Sequence, residues 1–210
     1  MKLKLYLARI PLLKWGITSG PLREGEYFEK IGDSTTKLSH SGFNVKWLVQ
    51  LGIKPEVILE LGSYDGGDAR RFYKAFPNSR IITVEADPDR ARVVQNNLTD
   101  TTVEMLNSAV CEKNGPVEWH SAFVDGGVNA QGSLYKHSDL YKNKFPQVKQ
   151  SQKVALVDGL RLDTLCDKVN IQEIDSLHMD IEGAEFSALS GMGEIRPKLI
   201  FFRNTIKPLC

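Results

Sequence analysis

The chain is poor in the residues that build disulfide frameworks and metal centres. Its 210 residues include three cysteines and four histidines. Cys111, Cys166 and Cys210 are widely spaced and form no C-x-x-C pair, which argues against a disulfide framework and a zinc site. No histidines show the spacing of metal ligands, so we expect no metal site. Isolated thiols suit a reducing compartment, and we therefore expect a cytoplasmic protein.

The chain also lacks a dominant charge and a long apolar segment. It has 27 basic and 26 acidic residues and a net charge of +1, so its composition favours neither a nucleic-acid nor a membrane-surface partner. The basic, apolar start is interrupted at Arg9, Pro11 and Lys14, so we expect no signal peptide and no transmembrane segment. Apolar residues at helical spacing across residues 3–13 favour an amphipathic helix packed on the domain, with peripheral membrane contact as the alternative.

The length fits one domain with a full hydrophobic core. We expect residues 1–56 to form a helical and cap segment, and residues 57–210 to form a Rossmann-like α/β domain. Within the first segment, residues 19–41 are polar and punctuated by glycine, which predicts a loop or a cap over a site. Residues 43–51 have helical periodicity and lead into the first strand of the domain.

The strongest motif lies between residues 57 and 87. Val57–Leu61 is a short apolar run rich in β-forming residues, as expected for a strand that is covered on both faces. Three glycines follow within residues 62–67, then a helical pattern, and then a second β-rich run, Ile81–Val84, which leads into the acidic Glu85. This order predicts a βαβ unit that holds a nucleoside at the carboxyl edge of a parallel sheet.

The spacing of the acids and glycines indicates which nucleoside-containing ligand the site would bind. Glu60, Gly62 and Gly66 form E-x-G-x-x-x-G, which departs from the G-x-G-x-x-G pattern of dinucleotide sites. Glu60 would repel a pyrophosphate but could attract an ammonium group, while Glu85 could accept both ribose hydroxyls. A ligand that combines an amino acid with a ribonucleoside is S-adenosylmethionine. The alternative is an ordinary turn whose glycines serve only helix–strand packing.

Further elements follow from the local patterns. Residues 88–98 predict a helix capped by Asp87, with Pro88 in its first turn. Strands are predicted over residues 103–110, 117–122 and 154–162. Residues 107–109 lie near the end of the strand predicted at 103–110. In a nucleoside-binding enzyme with this arrangement, they would lie where the adenine is contacted. Residues 125–152 are polar and glycine-rich, which predicts a long loop that could act as a substrate lid.

A second motif covers residues 174–191, where a predicted strand leads into a helix that ends at Gly191. Asp180 lies near the end of the strand, and Glu182 and Glu185 lie at the predicted start of the helix. The three carboxylates would therefore cluster at the sheet edge where ligands bind. Alternatively, Glu182 and Glu185 only complement the positive helix N-terminus, or the three carboxylates hold a divalent cation.

Together these segments resemble a known family. The runs VILELGSYDGGDARRF, VEADPD, LRLDTL and LHMDIEGAEFSALSG are similar to the FkbM family of S-adenosylmethionine-dependent methyltransferases, over residues 57–202. The resemblance implies a Rossmann-like class I fold, a three-layer α/β sandwich with a mostly parallel central sheet. It also implies S-adenosylmethionine as cofactor and O-methylation of a hydroxyl on a sugar, glycolipid or polyketide-like small molecule.

The same resemblance assigns roles to individual residues. The cofactor would be bound by Glu60, Gly62, Ser63, Tyr64, Asp65, Gly66, Glu85, Ala86, Ser108, Ala109 and Asp180. The carboxylates Asp180, Glu182 and Glu185 would face the methyl group and the acceptor, with Asp180 or Glu182 as the base. The expected partner is a small-molecule or glycan acceptor.

Two features depart from the family pattern. His178 stands where the family usually has lysine, and a lone histidine within a strand is more often structural than catalytic. Residues 198–202 predict a fifth strand with only eight residues after it, so we expect a sheet shortened at its C-terminal end. Its open edge would need a cover, such as a second subunit or the N-terminal segment. A non-catalytic cofactor-binding module is therefore the alternative function, and a nicotinamide-dependent oxidoreductase is disfavoured by the glycine spacing.

Overall fold

The structure, a computed structural model, describes residues 25–124 and 127–202. The helices in these ranges are α1 (Lys46–Gln50), α2 (Gly67–Ala75), α3 (Pro88–Asn97), α4 (Asp139–Lys144), α5 (Leu162–Lys168) and α6 (Glu185–Ser190). The strands are β1 (Gly25–Ile31), β2 (Ser34–His40), β3 (Val57–Leu61), β4 (Arg80–Glu85), β5 (Glu104–Asn107), β6 (Ala109–Val110), β7 (Gly115–Val124), β8 (Gly127–Ser133), β9 (Lys149–Gln150), β10 (Ala155–Leu160), β11 (Ser176–Met179) and β12 (Leu199–Phe202).

The central sheet has five strands in the order β12-β11-β3-β4-β5, and every neighbouring pair is parallel. The predicted α/β fold with a mostly parallel sheet is therefore confirmed. Strands β3 to β5 follow one another outward in one direction, and the chain then returns to the other side of β3 for β11 and β12. The strand order thus reverses between β3 and β11, which is where open α/β sheets bind ligands.

Both faces of this sheet are covered, because successive residues of a strand point to opposite sides. Ile58 and Ile81 pack on one face with Phe43 and with Phe72 of α2. The other face packs a larger cluster that includes Leu59, Ile82, Leu177, Leu162, Leu165 and Cys166. The sheet with helices on both sides forms the predicted three layers. Residues 1–24 and 203–210, which hold the predicted N-terminal helix and the end of the chain, lie outside the described residues.

A second, largely antiparallel sheet is inserted between β5 and β11. Its order is β6-β10-β7-β8, and β9 also pairs with β7. The strands predicted at residues 117–122 and 154–162 are confirmed as β7 and β10. The predicted loop at residues 125–152 is wrong, since this segment contains β8, α4 and β9. Strand β8 has the sequence GVNAQGS and forms through backbone pairing with β7, which an apolar pattern cannot reveal.

The predicted strand at residues 103–110 is divided in two. Its first half, β5, belongs to the central sheet, and its second half, β6, belongs to the inserted sheet. Ser108 separates them, and its N–H donates to the carbonyl oxygen of Glu85 at 3.0 Å. The division therefore occurs beside the acidic end of β4, at the edge where the ligand site is expected.

Strands β1 and β2 form an antiparallel hairpin, so a loop is wrong for the described part of residues 19–41, and the alternative, a cap over the site, stays a prediction. The hairpin packs on the start of α2 through hydrogen bonds. The Tyr27 hydroxyl donates to the Gly67 carbonyl at 2.8 Å, and the Ser39 N–H donates to Asp65 Oδ2 at 2.8 Å. Ser41, just after β2, donates its N–H to Asp68 Oδ2 at 2.6 Å. Helix α1 covers the central part of the helix predicted at residues 43–51.

Gly67 packs closely against the hairpin. A Cβ at this position would overlap the Ser39 carbonyl oxygen. We expect Gly67→Ala to detach the hairpin, seen as faster amide hydrogen exchange across residues 25–41. Gly32→Ala is the matched control, because Gly32 lies in the hairpin turn at φ +56°, where an added Cβ would meet nothing within 4 Å. Equal protection of the hairpin in Gly67→Ala and the wild type would refute this role.

Candidate active site

A cleft opens at the carboxyl ends of β3, β4 and β11, where the strand order reverses. Several residues predicted for the site line it: Gly62, Ser63, Tyr64, Glu85, Ala86, Ser108, Ala109, Asp180 and Glu182. The parallel sheet brings them together, because each follows the end of a neighbouring strand. The candidate site is therefore made mainly by the two motifs that stand out in the sequence.

Four residues predicted for the site do not line the cleft: Glu60, Asp65, Gly66 and Glu185. Glu60 is fully buried, and the Thr83 and Ser63 hydroxyls donate to its Oε2. Burial, followed by the charge of Asp68, raises the pKa of Glu60 well above its usual range. Glu60 thus lies in the interior beneath the cleft, outside its lining.

The other three have structural roles in this arrangement. Asp65 accepts the N–H groups of Ser39 and Gly67, at 2.8 and 3.0 Å, and so ties the hairpin to α2. Gly66 has φ +84°, and a Cβ added there would lie 3.4 Å from Leu98. Glu185 is the first residue of α6, and its carboxylate accepts the Gly183 N–H at 3.2 Å.

Gly62 is required by the packing of two strand ends. Its φ is +88°, and a Cβ would overlap the Asp180 carbonyl oxygen. Hydrogen bonds fix this approach, since the Gly62 N–H donates to Val84 O and the Asp180 N–H donates to Leu61 O, both at 2.9 Å. Gly62 therefore has a packing role, which the sequence offers as the alternative to ligand binding, whatever ligand the cleft holds.

Glu85 is 6% exposed at the end of β4. Its Oε2 accepts the Tyr64 N–H at 2.7 Å, and its Oε1 accepts the Asp87 N–H at 2.9 Å. Burial raises the pKa of this carboxyl group, although both backbone hydrogen bonds favour the charged form. A carboxylate has about four acceptor positions, so two remain for a ligand that enters the cleft.

Two non-glycine residues of the cleft adopt left-handed backbone conformations, Tyr64 at φ 57° and Glu182 at φ 54°. Such conformations cost about 1–3 kcal/mol each and concentrate at functional sites. The conformation of Glu182 also corrects the predicted helix start, because α6 begins three residues later, at Glu185. The buried Glu182 is held instead in a turn, where its carbonyl accepts the Ser133 hydroxyl at 3.0 Å.

The inserted sheet supplies one wall of the cleft, which sequence reasoning missed. The indole of Trp119 donates to Asp87 Oδ2 at 3.0 Å, and the other oxygen of Asp87 caps α3. Gly132 faces the same ring so closely that an added Cβ would lie 2.6 Å from Trp119 Cζ2. Residues of the predicted lid segment, among them Gly132 and Leu134, thus line the cleft beside Trp119. No pattern in the sequence signals this contact.

The end of β2, with Ser39 and His40, and the following Ser41 supply another part of the wall. The Ser41 hydroxyl lies 3.0 Å from Nε2 of His178, which is fully buried beneath the cleft. His178 stacks on Phe201 with ring centroids 5.3 Å apart, and burial lowers its pKa. This agrees with the expectation of a structural histidine rather than a base that faces the ligand.

Comparison with known proteins identifies the family. The sequence pattern described as the Methyltransferase FkbM domain matches residues 60–205. The chain belongs to the FkbM methyltransferase family. The match contains the whole of the second motif and all of the first except Val57, Ile58 and Leu59. The family predicted from the sequence is therefore confirmed.

Two individual relatives illustrate the range of similarity. The 2-O-methyltransferase NoeI of Sinorhizobium fredii (strain NBRC 101917 / NGR234) is 29% identical over 159 residues, which cover 73% of this chain and 65% of NoeI. The chain thus spans slightly less than two thirds of that relative. The other is the crystal structure of methyltransferase FkbM from Methylobacillus flagellatus KT, which is 18% identical with a TM-score of 0.41. The matched region covers 66% of this chain and 29% of the Methylobacillus chain.

The lengths of the helices bear on membrane association. Among the helices within residues 25–124 and 127–202, none is long and apolar enough to cross a membrane.

Proposed function

We propose that the chain is an S-adenosylmethionine-dependent methyltransferase that acts on a hydroxyl oxygen. The observation that carries the proposal is the convergence of the glycine turn, Glu85 and Asp180 on one cleft at the reversal of strand order. Membership of the FkbM family supports methyl transfer. The name of NoeI, a 2-O-methyltransferase, supports an oxygen acceptor.

The residues of the cleft fit the parts of this cofactor. Glu85 keeps two acceptor positions for the ribose hydroxyls, and the backbone of Gly62 and Ser63 lies beside it for the amino-acid part. Ala86 and Ala109 provide small apolar surface for the adenine. The sequence predicts that Glu60 contacts the ammonium group of the cofactor. We propose instead that backbone groups lining the cleft contact the amino-acid part.

Asp180 is the proposed base. The bound cofactor supplies a methyl group on a sulfonium, which is already an activated leaving group. The protein therefore needs mainly to align the acceptor and to take its proton. Asp180 is partly exposed at the tip of β11, so it can reach an acceptor hydroxyl, whereas the neighbouring Glu182 is 4% exposed. The proposed acceptor remains a hydroxylated small molecule or glycan.

We expect Glu85→Ala to weaken binding of S-adenosylhomocysteine by more than about tenfold, because charged hydrogen bonds contribute roughly 1.5–3 kcal/mol each. The variant also releases the N–H groups of Tyr64 and Asp87, which shape the turn. The control is Glu104→Ala, whose carboxylate pairs with Arg80 at 2.6 Å on the surface. Calorimetric titration of both variants measures the effect. Unchanged affinity in Glu85→Ala would defeat the placement of the ribose.

The experiment that tests the function is a methyl-transfer assay. The purified chain is incubated with S-adenosylmethionine labelled in the methyl group and with monosaccharides, glycolipids and polyketide-like alcohols. Transfer of label to a hydroxyl oxygen supports the proposal. Tight binding of S-adenosylhomocysteine without transfer to any acceptor would favour the non-catalytic binding module, and transfer to nitrogen or carbon would contradict an oxygen acceptor.

A further inference from the structure

Three buried groups with lone pairs meet at the floor of the cleft. They are Glu60 of β3, Asp68 of α2 and His178 of β11, which are 0%, 7% and 0% exposed. Each offers one donor atom, and the three atoms lie within 4.8 Å of one another. The proposed methyl transfer uses none of these three side chains. Their convergence therefore calls for an explanation of its own.

The hydrogen bonds around Glu60 and His178 leave one atom of each without a partner. Thr83 and Ser63 both donate to Oε2 of Glu60, and Oε1 has no hydrogen-bond partner among the described residues. On His178, Nε2 is 3.0 Å from the Ser41 hydroxyl, while Nδ1 has no such partner in the described part of the chain. With the proton on Nε2, His178 Nδ1 presents a lone pair.

The charge of the cluster also favours a cation. Asp68 receives the Ser41 N–H on Oδ2 and the Arg71 guanidinium on Oδ1, at 2.6 and 2.7 Å. Arg71 thus balances one carboxylate, and the second carboxylate, Glu60, lies in the interior. Buried carboxylates are normally paired, protonated or bound to a metal ion.

We propose that Glu60, Asp68 and His178 form a binding site for one divalent transition-metal ion, for which Zn²⁺ is a suitable probe. One imidazole nitrogen and two carboxylate oxygens are ligands that such ions accept in proteins. Ligands about 2.1 Å from a tetrahedral ion lie about 3.4 Å apart, so the three atoms, which lie within 4.8 Å of one another, would move up to about 1.4 Å closer together around one ion. No sequence motif predicts this site, because its ligands come from three separate elements.

The hydrogen bonds of the cluster connect it to the cleft. Ser41 contacts His178 through its hydroxyl and Asp68 through its N–H, and both Ser41 and Asp68 line the cleft. A hydrogen bond on the far nitrogen of a ligating histidine fixes its tautomer and orientation. The ion would therefore join β3, α2 and β11 and hold the end of the hairpin against the cleft floor. Asp68 also gives the ion a route from the cleft to the interior.

The competing occupant is a proton shared between Glu60 and His178. Such a proton requires a direct hydrogen bond of about 3 Å or less, whereas Oε1 of Glu60 and Nδ1 of His178 make none. A bound ion needs no direct contact between these atoms. The two occupants also differ in what an experiment sees, because a proton leaves the chain independent of added metal.

The test uses the full chain, stripped with a chelator, kept reduced and titrated with Zn²⁺. We expect one Zn²⁺ per chain by mass spectrometry of metal content, and a rise in Tm on loading. Glu60→Gln and His178→Gln are each expected to weaken Zn²⁺ binding roughly a hundredfold or more. His137→Gln is the matched control, since His137 is buried outside the cluster and should leave the affinity unchanged.

Two results would overturn the proposal. One is the absence of stoichiometric metal with a Tm that Zn²⁺ does not change, which assigns the cluster to a shared proton. The other is equal binding by the wild type and the cluster variants, which places the metal elsewhere. Should the variants fail to fold, Co²⁺ bound to the wild type replaces them. Its visible spectrum should show nitrogen and oxygen ligands, and a thiolate band would instead assign the ion to a cysteine.

Discussion

Gly62→Ala is expected to abolish measurable binding of S-adenosylhomocysteine and to lower the free energy of unfolding by about 3 kcal/mol or more. Two effects combine in this variant. Alanine at φ +88° is strained, and its Cβ overlaps the Asp180 carbonyl oxygen, so the ends of β3 and β11 must separate. The separation displaces Ser63, Tyr64 and Asp180 together, and these are residues of the proposed cofactor site.

Gly52→Ala isolates the contribution of backbone strain. Gly52 has φ +74°, and a Cβ there meets nothing within 4 Å. The control should therefore lose only about 1 kcal/mol of stability and keep the affinity for the cofactor. Urea denaturation and calorimetric titration of both variants measure the two quantities. If Gly62→Ala behaves like Gly52→Ala, the contact between the strand ends does not shape the site.

Asp180→Asn is expected to reduce methyl transfer by about a hundredfold or more, with the affinity for S-adenosylhomocysteine changed only a few fold. The amide has nearly the shape of the carboxylate but cannot accept the acceptor's proton, and general base catalysis typically contributes 10²–10⁴-fold. The Asp180 N–H still donates to Leu61 O in the variant, so the strand end keeps its position. The turnover is measured with an acceptor found in the labelled-methyl assay.

Glu185→Gln separates this prediction from a general effect of charge in the second motif. The resemblance placed Glu185 with Asp180 at the methyl group, but the structure places it at the start of α6, outside the lining of the cleft. We expect Glu185→Gln to keep turnover within a few fold of the wild type. Loss of turnover in Glu185→Gln with retention in Asp180→Asn would reverse the proposed roles.

The sequence predicts the inner strands of the central sheet well because they are buried on both faces. Such strands are nearly continuous apolar runs, as in Val57–Leu61 and Ile81–Val84, which are interrupted only by Glu60 and Thr83, and their order along the chain is that of a βαβ fold. The sequence also predicts the helix α3 and its cap. The Asp87 side chain accepts the Asp89 and Arg90 N–H groups. These features depend on local chemistry, which a sequence displays directly.

The hairpin and the inserted sheet were missed because backbone pairing and remote contacts determine them. Strand β2 reads STTKLSH, which has no strong apolar alternation, yet it pairs with β1 along its full length. Its end enters the cleft through contacts with Asp65 and Asp68, which lie more than twenty residues further along the chain. No local pattern encodes such a distance, so the two outer walls of the cleft required the structure.

Two positions within the motifs lie differently from the expectation, for specific physical reasons. The spacing from Gly62 predicts that Glu60 faces the ligand, but alternation along the strand places it on the same face as Ile58, toward the core. Glu182 was assigned to a helix start, but it adopts a left-handed conformation that glycine, not glutamate, normally signals. In both cases the residue type marks the region of the site. The sequence does not show the direction of the Glu60 side chain or the backbone conformation of Glu182.

The most direct test of the proposed function is calorimetric titration of the full chain with S-adenosylmethionine and S-adenosylhomocysteine, with NAD as the control. The convergence of Glu85, the glycine turn and Asp180 predicts micromolar binding of both methyl-donor compounds and no binding of NAD. Binding of NAD in their place, or binding of none of the three, would contradict the assignment of this cleft to a methyl donor.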